Sequence, residues 1–237
     1  MDFKDLFDRW KIEFKFDAFI GDGIVDVKLY EEPHILFVLR DMNCREERDL
    51  CNDLRTDGSG WKTWNNAARW IEALLDGNKE YPESIDKEKR AAQMKRISVM
   101  NLKKEGGGSR TDGAVLLEVV KNQRKYIFEE IKLCDPEIII GCGLSGSGIK
   151  GNATLLKEYI FENTSEWKVL KSTSLDREWW YYYANVDGKC IPVIEFCHPQ
   201  VTTLNKKRGH NLFRCLYNDV LLIRETFIKN DVNKGAY

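Results

Sequence analysis

The sequence predicts an α/β protein whose core is a parallel sheet covered by helices on both faces. Three observations carry that expectation. Four short apolar runs, Ile35 to Leu39, Ile97 to Leu102, Glu137 to Gly141 and Ile191 to Cys197, are too short for helices and fit strands buried on both faces. Segments with helical periodicity separate them, and strand–helix alternation of this kind builds parallel sheets with right-handed crossovers. Finally, neither an internal repeat nor a linker interrupts the 237 residues, so one domain over 1–237 is expected.

The elements follow in order. Phe3, Phe7 and Trp10 recur at helical spacing, so residues 1–33 are read as an extension that opens with a helix packed on the core. Ile24 to Tyr30 alternates apolar and polar residues, the pattern of a half-exposed strand, and Pro33 ends it. The first buried strand stops abruptly in Arg40, Asp41, Met42 and Asn43. A polar segment and a loop at Gly58 to Gly60 come next. Trp61, Trp64, Ala68, Ile71 and Leu75 then mark a helix stopped by Gly77. Residues 78–95 are polar. The second buried strand ends at Asn101 and opens into Gly106-Gly107-Gly108. Asp112 is an N-cap candidate for one long helix through Leu133. The third strand runs into the glycine-rich turn from Gly141 to Gly148. A helix over Ala153 to Phe161 and short strands at 167–171 and 177–186 precede the fourth core strand. That strand runs into His198-Pro199-Gln200, and a helix over Leu212 to Ile228 closes the chain.

Composition excludes several classes. Apolar content of 43%, charged content of 32% and a formal net charge of −1 describe an ordinary globular protein with no global pull toward polyanions. Nucleic-acid contact would need a local basic patch. No apolar run has transmembrane length, and the Met1 to Lys4 start is not that of a signal peptide, so a cytoplasmic protein without membrane contact is expected. The seven cysteines are scattered without a CxxC pair, which reads as free thiols in a reducing compartment and no metal or iron–sulfur site.

In open parallel sheets ligands bind beyond the carboxyl ends of the strands. Three core strands end in residues suited to polar chemistry, Asn43, Asn101 and His198, and the fourth ends in glycines. Their convergence on one cleft is the central expectation. In this order the pattern resembles the uracil-DNA glycosylase superfamily. Asp41-Met42-Asn43-Cys44 stands where the family has Gly-Met-Asn-Pro or Gly-Gln-Asp-Pro, Asn101 where a base-reading Asn ends a strand, and His198-Pro199-Gln200 where a His-Pro motif follows the last strand. Asp135 to Gly141 is similar to the family's third strand. Asp41 and Cys44 depart from its Gly and Pro, which opens the substrate to bases other than uracil.

The resemblance implies a three-layer α/β/α sandwich with a central four-stranded parallel sheet. It also implies a monofunctional DNA glycosylase without cofactor or metal, acting on uracil or a modified pyrimidine, in repair or in defence against modified phage DNA. The residue types suit that chemistry. A His donates a hydrogen bond to a base oxygen as charge develops, the role of His198. Asn43 or Asp41 holds the attacking water. Asn101 offers a donor and an acceptor to a pyrimidine edge, with Met42 beside it. An extruded base needs an aromatic platform, Trp61 or Trp64. Lys206, Lys207 and Arg208 would meet phosphates, Val201 or Leu204 would fill the vacated stack, and backbone amides around Gly143, Ser145 and Ser147 would cradle a phosphate. Two rivals remain: a non-catalytic nucleic-acid-binding module, and a dinucleotide-binding oxidoreductase using Gly141 to Gly146, which matches GxGxxG after a strand.

Overall fold

A computed structural model describes residues 2–57, 62–108, 111–146 and 148–229. Seven strands form its central sheet: β1 (Gly23–Ile24), β2 (Ile35–Leu39), β3 (Ser98–Asn101), β4 (Ile138–Cys142), β5 (Lys168–Lys171), β6 (Glu178–Val186) and β7 (Lys189–Phe196). Their spatial order is β1-β3-β2-β4-β7-β6-β5. The four inner strands β3, β2, β4 and β7 run parallel, and they are the four apolar runs read from the sequence. The expected four-stranded parallel sheet is therefore corrected to a mixed seven-stranded one, because β1 adds antiparallel to β3 while β6 and β5 add antiparallel beyond β7. The period of two along β6 sends Trp179, Tyr181 and Tyr183 to one core cluster and Tyr182 and Ala184 to the other, while Trp180 near the strand's start is exposed.

Helices cover both faces. Alpha-helices α1 (Phe3–Phe14), α5 (Gly113–Asn122), α6 (Arg124–Cys134) and α7 (Asn152–Leu155) pack on one. On the other lie α2 (Leu50–Asp57), α3 (Lys62–Ile71), α4 (Lys87–Met94) and α8 (Gly209–Ile223). The period of two in β2 sorts its side chains accordingly. Ile35, Phe37 and Leu39 join Trp64, Trp70 and Leu216 on one side, while Leu36 and Val38 join Trp10, Leu116 and Ile127 on the other. All five β2 residues are buried, each apolar side chain worth roughly 1.5–3 kcal/mol of transfer free energy.

Several boundaries differ from expectation. Ile24 to Tyr30 is not a strand beyond Ile24, because residues 26–29 turn through a hydrogen bond from the Leu29 amide to the Asp26 carbonyl at 3.1 Å. Helices α2 and α4 lie in segments read only as polar, with no helix assigned; Leu50 and Leu54 supply only a narrow apolar stripe for α2. The long helix after Asp112 is two helices. Asp112 does cap the first, accepting from the Ala114 and Val115 amides at 2.8 and 3.2 Å. The break at Gln123 frees its side chain to accept from the Trp10 indole N–H at 2.9 Å. Helix α3 continues through one π-turn, Glu72–Asp76, and ends at Gly77 in the left-handed region (φ 66°).

A cleft at the carboxyl edge of the parallel strands

The chain leaves β2 toward β3 on one side and returns to β4 on the other, so the sheet order reverses at the end of β2. A crevice forms at such a point. Here it is a cavity of about 580 Å³, lined by Arg40, Asp41, Met42 and Asn43 after β2, by Asn101, Gly108 and Thr111 from β3 onward, and by Cys142, Gly143 and Ile149 around the β4 turn. His198 and Gln200 after β7, and Thr63 and Trp64 of α3, complete the wall. Segments 39–43, 101, 142–143 and 198–200 are remote in sequence and are gathered by the parallel register alone.

His198 is half-buried, and its Nδ1 accepts a hydrogen bond from the Gln200 amide at 3.1 Å. An accepting Nδ1 places the proton of the neutral ring on Nε2. Burial, reinforced by the nearby Arg40 guanidinium, pushes the His198 pKa down to about 4. At neutral pH the imidazole is thus an uncharged Nε2–H donor. Its loop is fastened from α3, where Asn66 Nδ2 donates to the Pro199 carbonyl at 2.7 Å.

Asn101 is almost fully buried, and both its backbone N–H and its Nδ2 donate to Asp22 Oδ2, at 2.7 and 2.9 Å. Asp22 lies in a buried ion cluster with Lys104 and Glu130, whose side chains are all inaccessible to water. Because one carboxylate oxygen receives both donations, the amide is turned with Nδ2 toward Asp22, which leaves Oδ1 of Asn101 for another partner. Asp22 and Lys104 escaped sequence reasoning; a lysine three residues past the end of a core strand was the one visible signal.

Asp41 Oδ1 accepts from the Thr111 hydroxyl at 2.7 Å. Its Oδ2 lies against Gly107, where an added Cβ would sit 2.5 Å away. Gly106 is pressed as closely on the Cys44 carbonyl, and the Gly107 amide donates to the Met42 carbonyl at 2.7 Å. Gly106 and Gly107 therefore pack against the 41–44 turn instead of opening the pocket. Asn43 is exposed at the mouth and Met42 is buried beneath it. Trp64 is 3% exposed, part of the core and of the cavity wall at once, and its indole N–H has no partner among the described residues. Trp61 and Ser147 lie outside the described residues.

The glycine turn does not offer the expected amide cradle. The Gly143 amide donates to the Phe196 carbonyl at 2.8 Å, that of Ser145 to Glu195 Oε1 at 3.3 Å, and that of Gly146 to the Ile149 carbonyl at 2.9 Å. Glu195 beneath the turn also accepts from Thr154 Oγ1 at 2.6 Å and adds a carboxylate where a phosphate would have to sit. This removes the physical basis of both the phosphate role at Gly143 and Ser145 and the dinucleotide reading.

Beside the cavity, Thr203–Leu204 and Lys207–Arg208 pair as a hairpin whose tip, Asn205 and Lys206, has positive φ at both positions. Lys206, Lys207 and Arg208 are exposed and form no ion pair among the described residues. Val201 and Leu204 are half-buried against the core cluster, so neither is a projecting wedge; the exposed tip is polar. Burial pushes the Cys142 and Cys197 thiols up, which disfavours either of them as a thiolate at neutral pH. No protein-family model, no curated protein and no solved structure matches the chain.

Proposed function

We propose that the chain is a monofunctional DNA glycosylase that hydrolyses the N-glycosidic bond of uracil or a modified pyrimidine. With this reading goes the finer description of the fold: the four inner strands and their two helical layers as the three-layer α/β/α arrangement of the uracil-DNA glycosylase superfamily. The observation that carries the proposal is the meeting of Asp41, Asn43, Asn101 and His198 on one cavity at the carboxyl edge of the sheet.

In this mechanism the base is extruded into the cavity with Trp64 as its wall. Asn101, held by Asp22, reads the pyrimidine edge through Oδ1 and its remaining N–H. His198 donates Nε2–H to a base carbonyl, and that bond strengthens as the C1′–N1 pair departs onto the base. Asp41, oriented by Thr111, accepts a proton from the water that adds to C1′, and Asn43 holds that water from the mouth. The described residues lining the cavity include no lysine, so a Schiff-base route has no nucleophile there. The hairpin cations Lys206, Lys207 and Arg208 meet the backbone phosphates.

The test uses duplexes containing uracil, normal bases or heavily modified pyrimidines, followed by alkali. Strand breaks at one base type are expected, and they should fall by about 100-fold or more in His198→Ala. Breaks that persist unchanged in both Asn43→Ala and His198→Ala would refute the assignment. Binding without breaks would favour a non-catalytic nucleic-acid module.

A further inference from the structure

Arg40 ends the first core strand as a half-buried guanidinium on the cavity wall, held by neutral groups only. Its Nη2 donates to the Leu144 carbonyl at 2.8 Å and its Nε reaches Asn152 Oδ1 at 3.4 Å. Asn152 is itself fully buried and fixed, its Nδ2 donating to the carbonyls of Val38 at 2.9 Å and Cys142 at 3.1 Å. A Cβ at Gly143 would lie 3.1 Å from both Arg40 Nε and Asn152 Oδ1, so the turn closes tightly over this pair. Arg40 forms no ion pair among the described residues, and its Nη1 makes no hydrogen bond among them. Asp41 and Glu195 act on it from beyond ion-pair distance, each already committed to a hydroxyl, Thr111 and Thr154.

A half-buried guanidinium without a contacting carboxylate is partly desolvated, and an anion that reaches it offsets that cost. Its hydrogen bonds to Leu144 and Asn152 hold the side chain on the cavity wall, where an anion entering the cavity can meet it. His198 shares the cavity and lies close enough to feel the charge. Whatever His198 Nε2 touches is therefore within the field of Arg40.

We propose that Arg40 is a second catalytic group, binding the pyrimidine anion as it leaves, alongside the His198 N–H. The inference rests on the glycosylase reading. In the step itself the C1′–N1 bond breaks and its electron pair passes to the base. Water adds to C1′, its proton goes to Asp41, and the negative charge spread over N1 and the ring carbonyls meets two fixed donors, one neutral and one cationic.

Two measurements on the full chain test this, with Arg40→Met and the charge-keeping Arg40→Lys. The first is equilibrium binding of free bases: barbiturate, an anion at neutral pH, against neutral uracil. The native chain should prefer barbiturate by about tenfold or more, Arg40→Met should lose the preference and Arg40→Lys should keep part of it. The second is single-turnover excision of uracil against 5-fluorouracil, the better leaving group. Arg40→Met should slow uracil excision by about 100-fold and 5-fluorouracil excision by clearly less. No preference in the native chain, or one that survives in Arg40→Met, overturns the proposal. Equal slowing of both bases with a preserved binding preference also overturns it and points to a phosphate contact. Anion preference lost in Arg40→Met, without excision of any base by the native chain, upholds the anion site while sinking the glycosylase reading.

Discussion

Protonation of His198 is where the geometry makes its most quantitative demand. Because Nδ1 already accepts from the Gln200 amide, adding a proton there breaks that bond and sets two donors against each other. Burial and Arg40 oppose the charge as well. The drop from the ordinary 6.5 to about 4 corresponds to about 3 kcal/mol in favour of the neutral ring. The folded pKa is depressed, so the unfolded chain binds the proton first as pH falls. This contribution to stability is intact above about pH 6.5 and drains away between there and about pH 4. His198→Gln keeps a hydrogen-bonding side chain without the titration. Urea unfolding of both chains from pH 7.5 to 4.5 should give a stability difference that narrows as the solution becomes more acidic. Two-dimensional NMR of the imidazole protons reports the same ionisation directly, with three histidines to resolve in the chain. A midpoint for His198 near 6 or above would refute the reasoning, because the ring would then be largely free of the Gln200 bond and of the guanidinium. Excision, if observed, should show no loss of rate from pH 8 to 6 attributable to this residue.

Other expectations follow from single contacts. Asp22→Ala strips one carboxylate from the buried Lys104 and should destabilise the fold by about 3–5 kcal/mol in denaturant titration. A loss below 1 kcal/mol would mean that the cluster is wetter than its burial implies. Gly107→Ala pushes a methyl group against Asp41 Oδ2 at 2.5 Å and should cost about 1–3 kcal/mol. Excision should fall further than stability explains, because Thr111 can no longer hold the displaced carboxylate. Replacing Lys206, Lys207 and Arg208 together by Ala should weaken DNA binding and lower the slope of log affinity against log salt by up to about 3, leaving free-base binding untouched. An unchanged slope would take the hairpin out of the DNA interface.

The buried cluster behind Asn101 is an unusual arrangement for a site wall. Desolvation alone would drive Lys104 toward neutrality, yet the carboxylates of Asp22 and Glu130 more than offset it, and its pKa is raised. Burial pushes the Glu130 carboxyl well up, while Lys104 contacts both Asp22 and Glu130 directly. The aromatic rings of Phe7 and Trp10 lie 5.7 and 5.3 Å from the ammonium and close the cluster from the α1 side. The amino-terminal helix thereby supports the group that orients Asn101, although it contributes nothing to the cavity itself.

Much of the scaffold could be read from local pattern. Unbroken apolar runs of about five residues can satisfy burial on both faces only as inner strands, so β2, β3, β4 and β7 were legible. Residues that end such strands necessarily share an edge, which is why Asp41, Asn43, Asn101 and His198 could be grouped before any coordinates. What local pattern cannot report is which long-range partner a polar group finds. Asp22 and Lys104, 82 residues apart, and Arg40 and Asn152, 112 apart, become neighbours only through the crossover order of the sheet. The same limit hid the fate of the glycine turn: an open loop by composition, it has its amides taken by Phe196 and Glu195 from the adjacent strand. Hydrophobic periodicity is written residue by residue along the chain, whereas hydrogen-bond satisfaction is a property of the packed whole.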